Sequence, residues 1–162
     1  MDEISVKDVM TIRVVTVTPE DSIHEAALRL AGNRISGMPV VAGRLVIGVV
    51  SESDLIQAMT PLEDRDRGMT VLDYVMAHRE PRTRPEPTRV EHVMSRLVAT
   101  ISPHARVWEA AAEMHQRGVK RLPVTDDDGR LVGIISRADL VRAIAQDGAR
   151  LAKGAEGPGP SA

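Results

Sequence analysis

The most chemically suggestive feature of the sequence is a Ser-x-x-Asp step that occurs twice. Residues 48–54 read GVVSESD and residues 133–139 read GIISRAD. Serine and aspartate at this spacing form a capping box, in which their side chains satisfy amide groups at the start of a helix. The same hydroxyl and carboxylate, placed where a strand ends and a helix begins, also occupy a usual position for contact with a ligand. The spacing alone leaves both functions open.

A glycine begins each of these two stretches. Gly48 and Gly133 lie in short apolar segments that end in the serine. Because glycine has no side chain, a strand that contains it permits the close approach of another backbone or of a ligand. We therefore expect either another segment of backbone or a ligand to pack directly against each strand at its glycine.

The composition excludes several other kinds of chemistry. The chain of 162 residues has no cysteine, which excludes thiol catalysis, disulfide bonds and zinc–thiolate sites. It has one Trp, one Tyr and no Phe, and its net charge is −2, so we expect no nucleic-acid partner. The five histidines share no metal-ligand spacing, and no trio of nucleophile, base and acid is evident. We therefore expect neither an enzyme nor a metalloprotein.

The sequence contains no targeting or membrane signal. Its first residues, MDEISVKDVM, lack the basic and apolar regions of a signal peptide. No apolar run approaches the roughly 18 residues that a membrane span requires. We expect a cytoplasmic protein without a membrane partner.

The chain is an internal duplication. Residues 6–41 align with residues 90–125, and the dipeptides Val-Met and Pro-Val recur in register. The alignment resumes at Gly48 and Gly133, after a turn in which the second copy carries one more residue. Each copy has about 55 residues, too few to bury a sufficient core alone, so we expect the copies to pack together as a pseudo-twofold pair.

Each copy has the same predicted order of elements, β-α-β-β-α, which makes the fold class α/β (α+β). A short strand, 14–17 or 98–101, leads to a helix that Thr18-Pro19 or Ser102-Pro103 would begin. Two strands follow. The serine of each Ser-x-x-Asp step then opens a last helix, which is predicted over 52–59 and 137–146.

The predicted repeats are separated by a segment of different composition. Repeat 1 covers residues 5–60 and repeat 2 covers residues 88–146. Residues 61–87 form a charged linker with a short amphipathic helix near Thr70, and residues 147–162 are expected to be a disordered tail.

The doubled β-α-β-β-α order, with SGMPVV and VKRLPV in mid-repeat and GVVSESD and GIISRAD at the ends, resembles a tandem pair of CBS domains. These regulatory modules are named after cystathionine β-synthase. The resemblance implies that the repeats pack through their sheets, that the clefts between them hold adenosine-containing ligands, and that the chain forms a homodimer.

The resemblance also implies roles for individual residues. Asp54 and Asp139 correspond to the family's ribose-binding carboxylate, and the neighbouring serines to a hydroxyl that contacts ribose or phosphate. Lys120 and Arg121 correspond to phosphate contacts, although exposed charges at a strand start explain them equally well. The first copy has Ser36 and Gly37 there, so its site would bind a nucleoside, borrow cations from the second copy, or stay empty.

An apolar strand led by a proline lies between these residues in each copy. Met38-Pro39 and Leu122-Pro123 are either core residues or an apolar slot whose backbone reads an adenine edge. Thr16 and Thr100 resemble polar residues that line the same pocket. The full set of expected ligand-binding residues is Thr16, Gly37, Met38, Pro39, Ser51, Asp54, Thr100, Lys120, Arg121, Leu122, Pro123, Ser136 and Asp139.

We therefore expect a non-enzymatic sensor of AMP, ADP, ATP or S-adenosylmethionine, without a metal or covalent cofactor. Ligand binding would change the geometry of the repeats or of the dimer and so bias a protein partner. Two alternatives remain open: a ligand-free scaffold, and an accessory subunit of a separately encoded enzyme. The second copy is expected to be the stronger anion site, because only it has Lys120 and Arg121.

Overall fold

The computed structural model describes residues 4–59 and 88–155, with side chains described through Asp147. The predicted linker and its short helix therefore lie outside the described residues, as do residues 156–162. The predicted tail begins at 147, but the last helix continues to Ala155.

Each repeat supplies a hydrogen-bonded pair of strands followed directly by a helix. The elements of the first repeat are α1 (Val6–Val9), α2 (Ile23–Asn33), β1 (Gly37–Ala42), β2 (Leu45–Ser51) and α3 (Glu52–Met59). Those of the second are a 3-10 turn (Val90–His92), α4 (Val107–Arg117), β3 (Arg121–Thr125), β4 (Leu131–Ser136) and α5 (Arg137–Ala155). The predicted mixed fold class is confirmed.

The first predicted strand of each repeat is reduced to a single parallel bridge. Val17 pairs with Val40, and Ile101 pairs with Val124 at the equivalent position. On its other side, β1 pairs with β2 and β3 pairs with β4. The proline-led strand of each repeat is therefore central, with a neighbour on both sides.

The helix that precedes the proline-led strand in each repeat begins later than the sequence predicts. α2 begins at Ile23 and α4 at Val107, so the predicted starts at Thr18-Pro19 and Ser102-Pro103 are wrong. In the first repeat the Thr18 amide donates instead to the carboxylate of Asp21, at 2.8 Å, and closes a turn.

The backbone groups that an earlier helical turn would need are bonded elsewhere. A helix through Pro19 requires the Ile23 amide to donate to the Pro19 carbonyl, four residues earlier. Instead, the Ile23 amide donates to the Thr88 carbonyl at 3.1 Å, and the Pro19 carbonyl accepts from the Glu91 amide at 3.0 Å. The second repeat has the equivalent pair of bonds: Val107 N to Ile4 O at 3.1 Å and Lys7 N to Pro103 O at 3.0 Å.

These bonds exchange the opening segments of the two repeats. The chain forms two compact units: an N unit (Val15–Gly43 and Ile47–Val98) and a C unit (Met1–Val14, Arg44–Val46 and Ala99–Ala162). The opening segment of each repeat thus packs in the unit that holds the body of the other. Sequence periodicity did not indicate this exchange.

Each unit has its own apolar core, and the exchanged segment contributes to it. The N-unit core comprises Val17, Ala26, Leu30, Met38, Val40, Val50, Leu55, Val90 and Met94. The C-unit core comprises Val6, Val107, Ala110, Met114, Leu122, Val124, Ile135, Leu140 and Ala143. Val6 and Val90, at equivalent positions, are completely buried in the unit that receives them.

The recurrence of the two glycines is explained by the same exchange. A Cβ at Gly48 would lie 3.0 Å from the carbonyl oxygen of Ser95, and one at Gly133 would lie 3.1 Å from that of Thr11. The exchanged segments pair with β2 and β4 as antiparallel bridges at these points. The close neighbours are therefore another backbone and the methionine beside it, because the sulfur atoms of Met94 and Met10 lie nearer still.

Candidate functional site

The two Ser-x-x-Asp steps lie at the junctions of β2 with α3 and β4 with α5, where each aspartate accepts from the serine amide. In the N unit the box is completed by the Asp54 amide, which donates to the Ser51 hydroxyl at 3.3 Å. In the N unit, Asp54 Oδ2 accepts from the Ser51 amide at 2.7 Å and from its hydroxyl at 2.8 Å. In the C unit, Asp139 Oδ2 accepts from the Ser136 amide and hydroxyl, both at 2.7 Å. One oxygen of each carboxylate is therefore occupied by the preceding serine.

The second oxygen distinguishes the two carboxylates. Asp139 Oδ1 accepts from Arg142 Nη2, one helical turn further along α5. The Asp139 side chain is 4% exposed, whereas that of Arg142 is 65% exposed. Asp54 is half-buried, and Ser51 is its only hydrogen-bonding partner among the described residues.

A third Ser-x-x-Asp step shows that this geometry alone does not mark a ligand site. Ser5 donates to Asp8 Oδ2 from its amide at 2.9 Å and from its hydroxyl at 2.5 Å, at the start of α1. The hydrogen bond from the Ser5 hydroxyl, followed by that from its amide, lowers the pKa of Asp8. Capping is thus a sufficient explanation of the local geometry, and a ligand site needs further support.

Backbone bonds place the expected phosphate contacts beside these boxes. The Arg137 amide donates to the Lys120 carbonyl at 3.1 Å, and the Glu52 amide donates to the Ser36 carbonyl at 3.0 Å. Arg121 is the register partner of Ser136 in the hairpin of β3 and β4. The start of the proline-led strand and the start of the following helix are therefore adjacent in both units.

The two junctions carry very different charge. Around the C-unit box lie four cationic residues: Lys120, Arg121, Arg137 and Arg142. The equivalent residues of the N unit are Ser36, Gly37, Glu52 and Gln57. All four positions are therefore cationic in the C unit, whereas in the N unit three are neutral and one is anionic.

The expected apolar slot residues lie mainly in the cores. Met38 and Leu122 are completely buried members of the two core clusters, and Pro39 and Pro123 are also buried. The proline carbonyls are used by the sheet: Pro39 accepts from Val17 at 3.2 Å and Pro123 from Ile101 at 3.0 Å. Gly37 is likewise buried, at the start of β1.

Proline is tolerated in the central strand β3 because of its register. Pro123 faces Ile134, whose amide and carbonyl both bond to Thr11 on the far side of β4, at 2.9 Å. Pro123 therefore occupies a non-hydrogen-bonded pair with β4 and no ladder bond is lost there.

The two threonines stand next to these strands. Thr16 precedes the parallel bridge to β1 and is half-buried, whereas Thr100 precedes the bridge to β3 and is exposed. The Thr16 carbonyl accepts from Arg29 Nη1 at 2.5 Å. The residue equivalent to Arg29 is Glu113, which pairs with Arg117 on the same helix.

Sequence reasoning missed Arg29, Arg137 and Arg142 as residues near the candidate sites. Basic residues on helices are usually solvated, so their type carried no signal. Aligning the residues that follow the two serines, ESDLIQ with RADLVR, would have revealed the charge difference.

Within 4–59 and 88–155, no three His, Cys, Asp or Glu side chains are grouped so that they could hold a metal ion. In the same part of the chain, no helix is both long and apolar enough to cross a membrane.

Known proteins share this sequence pattern and this fold. An uncharacterized protein of Methanocaldococcus jannaschii is 32% identical over 153 residues, which cover 86% of this chain and 90% of that protein. The crystal structure of CBSX2 in complex with AMP, a CBS-pair protein from Arabidopsis thaliana, is 27% identical and superimposes with a TM-score of 0.69. That alignment covers 88% of this chain and 96% of CBSX2.

A second solved structure is similar over nearly its whole length. The CBS domain pair of protein MJ0100, in complex with 5′-methylthioadenosine and S-adenosyl-L-methionine, is 25% identical with a TM-score of 0.67. The alignment covers 87% of this chain and 99% of that pair. The CBS domain profile itself matches residues 6–61 and 90–146. The chain therefore belongs to the CBS domain family and has the fold of a CBS domain pair.

Proposed function

We propose that this chain is a regulatory module that binds an adenosine-containing ligand and catalyses no reaction. The observation that carries the proposal is the pair of junctions at which Ser51–Asp54 and Ser136–Asp139 end a strand and open a helix. Each junction presents an oriented carboxylate that suits ribose hydroxyls. Two similar structures hold AMP, or 5′-methylthioadenosine with S-adenosyl-L-methionine, which supports the same class of ligand here.

The charge difference supports different ligands for the two units. The C unit places Lys120 and Arg121 beside its carboxylate, and arginine and lysine together suit phosphate oxygens. We assign the phosphorylated nucleotide, AMP, ADP or ATP, to this junction. The N unit has Ser36 and Gly37 instead, so an adenosine compound without phosphate is the better match there.

Calorimetric titration with AMP, adenosine, 5′-methylthioadenosine and S-adenosylmethionine tests the proposal. We expect Asp54→Asn and Asp139→Asn each to weaken binding at one site by tenfold or more, roughly the contribution of a hydrogen bond to a charged group. Lys120→Ser, which introduces the N-unit residue, should weaken AMP binding and leave adenosine binding unchanged.

Asp8→Asn is the matched control for these variants. It alters a capping box of the same geometry that lies outside both candidate junctions, so it should leave every affinity unchanged. If the wild-type chain bound none of the four compounds, the ligand proposal would fail and a scaffold function would be favoured.

The regulatory step that we propose is a ligand-dependent change in repeat or homodimer geometry, which requires different affinities for two states. Exposed aliphatic residues at equivalent helix positions support a dimer: Ile56 and Met59 on α3, and Val141 and Ile144 on α5. Light scattering with and without AMP tests this step. A monomer under both conditions would remove the dimer from the proposal.

A further inference from the structure

Arg142 blocks part of the carboxylate on which the proposed function depends. The carboxylate of an aspartate offers about four acceptor positions, two on each oxygen. Ser136 uses two of these on Asp139 Oδ2, and Arg142 uses one on Oδ1. About one position remains, whereas the two hydroxyls of a ribose need two.

The N-unit carboxylate does not have this restriction. Ser51 occupies Asp54 Oδ2, and no described residue donates to Asp54 Oδ1. Gln57 stands at the position equivalent to Arg142. Among the described residues, none loses a contact to Asp54 Oδ1 when Asp54 accepts both hydroxyls of a ribose.

Release of Arg142 has a different cost for different ligands. Its side chain is 65% exposed and can leave Asp139, but that carboxylate is nearly buried and loses its cation. Removal of a hydrogen-bond donor from a nearly buried carboxylate is costly. A ligand with a phosphate offers the released guanidinium a new bidentate partner, whereas a nucleoside offers it none.

We propose that Arg142 makes the C-unit junction selective for phosphorylated nucleotides by competing with ribose for Asp139 Oδ1. Arg142 is a specificity-determining residue in this view. A nucleoside must displace Arg142 from Asp139 and offers the guanidinium no new partner. A nucleotide also displaces Arg142 but then binds the guanidinium through its phosphate. The inference rests on the proposed function and adds the reason why this junction rejects adenosine.

Binding of AMP and adenosine to an Asp54→Asn background, in which only the C-unit junction retains its carboxylate, tests the inference. We expect Arg142→Gln, which introduces the N-unit residue, to strengthen adenosine binding about tenfold, roughly the contribution of one charge-assisted hydrogen bond. AMP binding should change little, because the variant loses both the competition and the phosphate contact. The ratio of the two affinities should therefore fall about tenfold.

Two further variants separate this role from others. Arg130→Gln removes the same charge from the C unit at the opposite end of β4, where Arg130 pairs with Asp128, and should leave the ratio unchanged. Arg142→Lys keeps a cation that can pair with Asp139 and with phosphate, so its ratio should remain nearer to that of the wild type. Thermal unfolding of each variant verifies that it is folded.

Specific results would overturn the inference. An unchanged affinity ratio in Arg142→Gln would show that Arg142 does not select the ligand. An equal loss of both affinities would show that it only supports the fold of the junction. Absence of binding of AMP and adenosine to the wild-type chain would instead reject the proposed function, and the inference with it.

Discussion

The N unit and the C unit have the same packing but different charges around their candidate sites. Equivalent valines, Val6 and Val90, fill the two cores, and equivalent glycines admit an exchanged backbone against β2 and β4. The serine and aspartate at the two strand–helix junctions also have the same role. The residues around them do not, since four cations in the C unit replace neutral or acidic residues in the N unit.

This difference indicates which positions of a duplicated chain are constrained. Positions that contact both the exchanged segment and the core tolerate little change, because interiors are close-packed. Positions at the strand–helix junction are less constrained by packing, and the two copies differ there. We therefore expect substitutions at packed positions to affect stability more than substitutions at charged positions.

The largest expected effect is from the glycines that the two units share. Gly48→Ala and Gly133→Ala each add a Cβ that meets a backbone carbonyl at 3.0 and 3.1 Å, respectively. We expect each change to lower the free energy of unfolding by about 1–3 kcal/mol, the usual cost of overpacking. Urea unfolding measures the effect, which should be similar in the two units.

Gly32→Ala is the control for these glycine variants. Gly32 lies in α2, and a Cβ added there would have nothing within 4 Å, so alanine should stabilise the chain by about 0.5–1 kcal/mol. If Gly48→Ala and Gly133→Ala were neutral, the close approach of the exchanged backbone would be refuted.

The capping carboxylates should respond unequally. Asp54→Ala removes a capping box and should cost about 1 kcal/mol. Asp139→Ala also leaves Arg142 without its partner and removes a nearly buried group, so we expect about 1 kcal/mol more. Unfolding in the absence of ligand measures both. Equal losses would mean that the Arg142 ion pair contributes nothing to stability.

The smallest effect concerns the acid sensitivity that Asp8 gives to the exchanged segment of the C unit. The pKa of Asp8 is lowered by hydrogen bonds from Ser5, whereas the equivalent N-unit pair is Arg89 and His92. A carboxyl group with a lowered folded-state pKa stabilises fully above its unfolded pKa. That stabilisation is lost as the pH falls through the folded value.

Ser5→Ala should therefore raise the pKa of Asp8 and reduce this acid-dependent loss. Carboxyl chemical shifts of Asp8, followed by NMR through the acidic range, provide the measurement. Titration of Asp8 at the same pH in both proteins would contradict the assigned cause.

The sequence predicted the parts of the fold that depend on local pattern. Repetition revealed the order of elements. The apolar spacing of α2 and α4 predicts eight core residues, of which five are buried: Ala26, Leu30, Val107, Ala110 and Met114. Ile23 and Ala27 are half-buried, and the prediction for Ala111 is wrong because that residue is exposed. Such patterns report which residues are buried but not which segment covers them. The exchange of Ile4–Val14 with its counterpart was therefore invisible, and with it the true starts of α2 and α4.

The candidate site was predictable to a similar extent. The serines and aspartates were evident because they recur in register. The role proposed for Arg142 depends on the burial of Asp139. Burial is a property of the folded unit and cannot be read from the sequence around Arg142. Met38 and Leu122 were ambiguous for the same reason, since an apolar residue beside a proline suits both a slot and a core.

The exchanged opening segments also constrain how the chain folds as it is synthesised. Lys7 leaves the ribosome on the order of ten seconds before Pro103, to which its amide bonds. The four-residue α1 is too short to persist alone during that interval. A single repeat, released early, would display an unpaired β-edge to which the opening segment of another molecule could bind. Nascent chains on one polysome are therefore at risk of intermolecular swapping until the second repeat is complete.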